Sequence, residues 1–314
     1  MSGLEALPLD ESPSVCVAVD IGGSKLAVGL VDIRGVVVAR ERVATPKTTD
    51  GTQLFRTVSD LVDLACRKAV ELGLAVAACG VGSGGPMDPG GVAISPLNIP
   101  AWRAFPLRSQ LEGLPSLAAT PVFIDNDAKA LALGEAWAGA GRGVEDFLAM
   151  VVSTGIGGGI VLDGRILEGR SGNAGHIGHV VVEPSGRGCR CGSRGCLEAE
   201  ASGSAIEEVT GRPAAEAAPE IVERTGVLVG RAIASAACLL DLRLALVGGS
   251  VALGFGPEFF AAAQREIDVR ARIAHARGCR VEPVGLGASG PLVGAAAVGW
   301  RGIGRLVTVP KDGA

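Results

Sequence analysis

Residues 15–31 (VCVAVDIGGSKLAVGLV) and residues 147–162 (FLAMVVSTGIGGGIVL) decide the fold, because the second repeats the pattern of the first. Each has an apolar run, a turn rich in glycine and hydroxyl groups, and a second apolar run. In the first copy the runs cover 15–20, 26–31 and 36–40, broken at Gly22-Gly23 and again at 32–35. Three short strands joined by tight turns, a β-meander, is the expected structure. In the second copy strands at 147–153 and 159–162 flank Thr154-Gly155-Ile156-Gly157-Gly158.

Outward from the first copy, residues 52–74 carry apolar side chains at helical spacing: Leu54, Val58, Leu61, Val62, Leu64, Ala65 and Ala69. A strand at 76–81 runs into Gly82-Ser83-Gly84-Gly85-Pro86. Another at 121–124 ends at Asp125-Asn126-Asp127, before an alanine-rich helix over 128–140. The second copy continues with a helix at 218–239, a strand at 244–247 running into Gly248-Gly249-Ser250, a helix at 257–273, a strand at 280–283 and a helix at 290–300. This is an α/β pattern of two duplicated lobes. No Pro/Ser-rich linker separates them, so a packed hinge is expected near residue 125. The first lobe is 1–125, joined by the C-terminal segment 290–314, and the second is 126–289. A cleft between them is the expected ligand site. Residues 1–13 and 306–314 read as frayed tails.

Composition narrows the class. The chain has 314 residues, 48 glycines, no tyrosine and 3% aromatics, which suits an α/β protein with many tight turns. A net charge of -4 offers no nucleic-acid footprint, and no basic run suggests a membrane surface. Apolar runs are too short to span a bilayer, and the acidic, polar start is not a signal peptide, so a cytoplasmic protein is expected.

Residues 173–198 hold two of the three histidines and three of the eight cysteines. His179, Cys189, Cys191 and Cys196 suit one structural zinc with four protein ligands and no open position for water. Gly186, Gly188, Gly192 and Gly195 let the loop fold back on the ion. The alternatives are free surface thiols or a disulfide; three clustered cysteines with a histidine, in a chain that looks cytosolic, favour the metal. Cys16, Cys66, Cys79 and Cys238 read as small buried hydrophobes, and Cys279 as a strand start.

Gly22-Gly23-Ser24 and the turn 154–159 can each present backbone N–H groups to phosphate oxygens. Neither is a Walker loop. Asp20 can hold Mg²⁺ directly or through water, and Lys25 can neutralise a phosphate. Asp125 and Asp127 both stand at a strand end, as candidate bases or as helix N-caps.

Residues 20–25, 82–88, 126–128, 153–159 and the His/Cys stretch, in this order, resemble the ROK family of bacterial sugar kinases and sugar-responsive repressors. The resemblance spans about 15–300. It implies two duplicated actin-like (ribonuclease-H-like) ATPase lobes with an interlobe cleft, and a sugar phosphorylated at C6 by ATP-Mg²⁺. By the same resemblance, Asp127 is the catalytic base. Asp20, Gly22, Gly23, Ser24, Lys25, Thr154, Gly155, Gly157 and Gly158 serve the ATP phosphates and Mg²⁺, and Gly248-Gly249 lies against adenosine. The sugar falls to Gly84 or Gly85, Asn98, Asn126, Asp127, His179 and Glu198. One ring nitrogen of His179 binds zinc and the other meets a sugar hydroxyl. A homodimer, or a dimer of dimers, is implied as well.

One departure from the family pattern concerns the sugar. Glucokinase-like members have Glu-x-x-His where this chain has His176-Ile-Gly-His179, wording that resembles bacterial N-acetylmannosamine kinases. His176 replaces a double acceptor with a group that can donate, or it stands on the cleft wall. Glucose is the first expectation and N-acetylmannosamine the second. A repressor needs a helix-turn-helix, and only 14 residues precede Val15. A non-catalytic sugar sensor would not need the Asp20, Asp127 and glycine-turn set.

Overall fold

The computed structural model describes residues 3–6 and 13–309. Its strands are β1 (Gly3–Ala6), β2 (Ser14–Ile21), β3 (Lys25–Asp32), β4 (Val37–Ala44), β5 (Ala75–Ser83), β6 (Val122–Asn126), β7 (Phe147–Val152), β8 (Ile156–Leu162), β9 (Arg165–Ile166), β10 (Leu244–Gly248), β11 (Arg280–Pro283) and β12 (Leu306–Val309). Its α-helices are α1 (Gly51–Glu71), α2 (Leu107–Glu112), α3 (Asp127–Ala138), α4 (Leu197–Ala201), α5 (Gly203–Thr210), α6 (Pro219–Leu240), α7 (Ser250–Phe255), α8 (Pro257–Arg270) and α9 (Gly290–Gly302).

The duplication is visible in sheet topology. One five-stranded sheet has the order β4-β3-β2-β5-β6 and the other β9-β8-β7-β10-β11. In the first, β2 pairs antiparallel with β3 and parallel with β5, and β5 runs parallel to β6. In the second, β7 pairs antiparallel with β8 and parallel with β10, and β10 runs parallel to β11. The same order, with the same strand directions around its centre, arises twice.

The chain divides into two compact units. The first is Met1–Glu145, Gly164–Ala174 and Gly285–Ala314, and the second is Asp146–Asp163 and Gly175–Val284. The first runs beyond the expected residue 125 because α3 packs on α9, with both helices in that unit. Glycine permits the approach: a Cβ on Gly294 would lie 2.5 Å from the Ala130 carbonyl oxygen. Glu135 on α3 is fully buried. Its carboxylate accepts backbone N–H groups from Ala140 (2.8 Å), Gly285 (3.0 Å) and Leu286 (3.0 Å), so a buried polar group is satisfied by the chain just after α3 and by the chain leading into α9.

Each unit has its own core. Val17, Val19, Leu54, Val62, Val81 and Ile124 belong to one, and Met150, Leu197, Val229, Ile233, Val247 and Phe259 to the other. α1 shows how sequence makes an element. Asp50 caps it by accepting from the Thr52 (2.8 Å) and Gln53 (3.2 Å) amides, and its buried stripe includes Leu54, Val58, Leu61 and Ala65. Leu64, counted in the expected stripe, is exposed.

Two other expectations change. β1 and β12 pair antiparallel rather than fray, with Gly3 opposite Val309. The rest of the expected tails (1–2, 7–12 and 310–314) lies outside the described residues, and Pro13 precedes β2. Cys16, Cys66, Cys79 and Cys279 are buried, but Cys238 is only half-buried, toward the end of α6. No helix among the described residues is long and apolar enough to cross a membrane.

Candidate functional site

In the first unit the candidates collect at the carboxyl ends of β2, β5 and β6, where open α/β sheets commonly bind ligands. Register places Asp20 beside Gly82, and Gly82 beside Asp125. Ile21, Ser83 and Asn126 form the next row. Gly22, Gly23 and Ser24 make the β2–β3 turn, closed by the Gly22 amide on the Lys25 carbonyl (3.0 Å) and by the Thr45 hydroxyl on the Gly22 carbonyl (2.6 Å). Asn98 stands between this turn and the loop after β5. A Cβ on Gly23 would lie 3.0 Å from Asn98 Cβ, and one on Gly84 3.3 Å from Asn98 Oδ1. Gly85 follows in the same loop, joined to Pro86 by a cis peptide.

The Asp125-Asn126-Asp127 trio separates into three roles. Asn126, not either aspartate, caps α3: its Oδ1 accepts from the Ala128 (3.0 Å) and Lys129 (3.4 Å) amides. Asp127 is the first residue of α3, and its Oδ1 accepts from the Ala128 amide (2.8 Å). Asp125 pairs with Lys129 Nζ at 2.8 Å, and the lysine side chain is 2% exposed. Lys129 Nζ also donates to Glu168 and to the Gly172 carbonyl, and Arg301 donates to Glu168. Burial raises the Asp125 carboxyl above the usual range, partly offset by Lys129.

Asp20 is buried, and its carboxyl is pushed up to about 7, first by burial and then by the negative charge of Asp127, with Lys25 opposing. Two carboxylates and a lysine thus share one field. Oxygen donors of this kind suit a hard cation, which would relieve the repulsion between them.

In the second unit the β7–β8 turn is Ser153, Thr154 and Gly155. Gly157 and Gly158, expected in that turn, lie within β8, paired with Val151 and Met150. A Cβ on Gly158 would come within 2.9 Å of Ile177 Cγ2, so this glycine makes room for the His176–His179 segment. Gly248 ends β10, and Gly249, at φ +96°, precedes α7; a Cβ there would collide with the Val152 carbonyl. The Ser153 and Ser250 hydroxyls are 2.9 Å apart.

His179, Cys189, Cys191 and Cys196 converge, with their ligand atoms all within 4.8 Å of one another. Cys189 Sγ lies 3.7 Å from His179 Nδ1, and Cys191 Sγ lies 3.8 Å from Cys196 Sγ. Sulfurs about 2.3 Å from a tetrahedral ion are about 3.8 Å apart, whereas a disulfide needs about 2.05 Å. The donor set fits a metal and not a disulfide. Nδ1 is the ring nitrogen facing the sulfurs, so Nε2 points away from them. The His176 and His179 rings stack with centroids 6.1 Å apart. Of the four loop glycines, Gly195 shows the tightest need, since a Cβ would collide with the Glu183 carbonyl. Gly188 has open space and no positive φ.

Glu198, two residues after Cys196, accepts the Ile156 amide on Oε2 (2.9 Å). Glu200 is buried and binds the loop to α6: it accepts from the Arg187 amide (2.5 Å) and from Arg224 Nη2 (2.6 Å). Those arginines hold its carboxyl below the usual range, against the effect of burial. Sequence reading missed Lys129, Glu168, Asn173 and Glu200. Lys129 alone had a local signal, a lysine in an otherwise apolar helix four residues after Asp125.

The sequence model of the ROK family matches residues 16–300. An N-acetylmannosamine kinase of Yersinia pestis (strain Pestoides F) is 35% identical over 255 residues, spanning 76% of this chain and 84% of that protein. A Thermotoga maritima glucokinase is 41% identical over 194 residues, 60% of this chain and 58% of that one. Among solved structures, a ROK family glucokinase from Streptomyces griseus, in complex with glucose and AMPPNP, superposes with a TM-score of 0.79. It is 29% identical, with 92% of this chain and 100% of that one covered.

Proposed function

The chain belongs to the ROK family and is an ATP-dependent sugar kinase, and we propose that it transfers the γ-phosphoryl group to the C6 hydroxyl of a hexose, as a glucokinase does. Its fold is the actin-like ATPase fold. The observation that carries the residue assignment is geometric: register brings Asp20 at the end of β2 and Asn126 at the end of β6 to the same edge of the sheet, with Asp127 opening α3 beside them.

Phosphoryl transfer asks for positioning, charge neutralisation and a carboxylate to accept the hydroxyl proton. Asp127 takes that proton. Asp125 is the weaker candidate because its carboxylate is committed to Lys129. Asp20 holds the Mg²⁺ of ATP-Mg²⁺, directly or through water, and the cation supplies charge neutralisation at the phosphates. Lys25, the Gly22–Ser24 turn, Thr154, Gly155, Gly157 and Gly158 are assigned to the ATP phosphates. Gly248 and Gly249 take the adenosine. Gly84, Gly85, Asn98, Asn126, His176, His179 and Glu198 are assigned to sugar hydroxyls.

His179, Cys189, Cys191 and Cys196 would hold a structural zinc, and binding it through Nδ1 would fix the tautomer and aim of His179. The protein acts as a homodimer or a dimer of dimers, a reading that rests on family resemblance and is tested by light scattering.

N-acetylmannosamine is the second substrate reading, favoured by His176 and by the Yersinia relative's name. A coupled ADP-release assay with ATP-Mg²⁺ over glucose, mannose, fructose, N-acetylglucosamine and N-acetylmannosamine separates the two. Glucose turning over best makes His176 compatible with a free C2 hydroxyl. N-acetylmannosamine turning over best makes His176 a specificity determinant. No turnover with any sugar by folded, zinc-loaded protein would sink the assignment and leave a sugar sensor.

A further inference from the structure

We propose that Glu198 is a positioning residue for the nucleotide, fixing the Ser153–Thr154–Gly155 turn and so joining the metal loop to the phosphate site. The proposal rests on the reading that this turn receives nucleotide phosphate, and it adds a role beyond the sugar contact assigned to Glu198.

The connection is short and lies within one unit. Cys196 is both a metal-ligand candidate and the residue preceding α4. Leu197 is fully buried, and its amide donates to the Val180 carbonyl (2.9 Å), which seats the start of the helix. Glu198 Oε2 then accepts the Ile156 amide (2.9 Å). A Cβ on Gly155 would lie 2.8 Å from that oxygen, so the carboxylate reaches the turn only because residue 155 is glycine. α5 completes the grip: the Gly203 amide donates to the Ser153 carbonyl (2.7 Å) and the Ser204 amide to the Thr154 carbonyl (3.2 Å).

These bonds orient the turn. In a trans peptide the C=O and the next N–H point in opposite directions. With the Ser153 and Thr154 carbonyls directed at α5, the Thr154 and Gly155 amides point away from it, as an anion cradle requires. Residues 198–204 therefore hold three successive peptide groups, all within eight residues of Cys196. A sugar contact alone does not account for the bond from the Ile156 amide, which closes the turn where β8 begins.

The test measures ADP-Mg²⁺ affinity without sugar, zinc content, and hydrogen exchange at 153–157, on full-length zinc-loaded protein. Glu198→Ala removes the acceptor. Its ADP affinity is expected to fall about tenfold, with faster exchange at 153–157 and unchanged zinc content. Glu198→Gln keeps an acceptor oxygen, so ADP affinity stays within about twofold of wild type while sugar KM rises. Chelation of the wild-type metal should also speed exchange at 153–157. Wild-type ADP affinity and wild-type exchange in Glu198→Ala would overturn the proposal, even with sugar KM raised. Failure of the wild type to bind ADP or turn over any sugar would instead remove the kinase reading beneath it.

Discussion

The two glycine turns look alike in sequence and are held differently in the structure. The Gly22–Ser24 turn is secured by its own sheet: Lys25 closes it, and Thr45, just past β4, binds both the Gly22 carbonyl and the Ser24 carbonyl. The Ser153–Gly155 turn is secured by residues of the metal loop and of the helices that follow it. One turn depends on local strand pairing, and the other on a segment more than 40 residues away. Duplicated backbones therefore need not share their supports, and the supports decide what perturbs each turn.

The largest effect tests the acidic pair beside the first turn. Asp127→Asn should lower kcat by about 10²- to 10⁴-fold, with sugar affinity, measured by calorimetry, little changed. Unchanged turnover would remove Asp127 as the base.

Metal loss should separate the two turns. Cys191→Ala is expected to raise sugar KM about tenfold or more through His179 and to lower Tm. Hydrogen exchange should rise at 153–157 and not at 22–25. Equal exchange in both turns would break the comparison, and a normal sugar KM in zinc-free protein would break the link through His179.

The pH response belongs to the first turn. Asp20 is raised from 3.8 to about 7 in the folded state, so the native state binds its proton more tightly than the unfolded chain does. Its contribution is fully present below about pH 4 and is lost as pH rises through about 7. Without added Mg²⁺, Asp20→Asn should therefore gain stability over wild type as pH rises across that window, by on the order of a few kcal/mol. Urea melts of both proteins from pH 5 to 8 measure the difference, and parallel curves would refute it.

The smallest effect is local. Thr45→Val removes the hydroxyl bond to Gly22 and should cost about 1 kcal/mol, with ADP affinity reduced less than about fivefold. An effect on exchange at 153–157 would contradict the separate supports.

Much of this was legible because hairpins, strand-end aspartates and a Cys/His cluster are local patterns. Phe147–Val152, Leu244–Gly248 and Arg280–Pro283 fall where their apolar runs predict. What escaped depends on distant partners. Glu135 reads as one more helix position until chain 150 residues later supplies two of its donors. Asn173 donates to the Met87 carbonyl (3.0 Å) across 86 residues, beside the Gly84-Gly85 loop. β1 and β12 are short, and pairing rather than propensity makes them strands. The metal set was readable because its chemistry is rare, yet the attachment of Glu198 to Ile156 was not, since no periodicity marks a side chain that caps a strand.

The division of the chain has a consequence for synthesis. Among the described residues the second unit contains nothing beyond Val284, whereas the first needs the segment that begins at Gly285, including α9, whose Leu292, Val293 and Ala295 are buried. A chain emerging from the ribosome thus has every residue of the second unit available before the first can close. The half that starts first finishes last, an inversion of the usual N-to-C order of domain folding. Until its final segment arrives, the sheet bearing Asp20 and Asp127 lacks the helix that packs on β2 and β5.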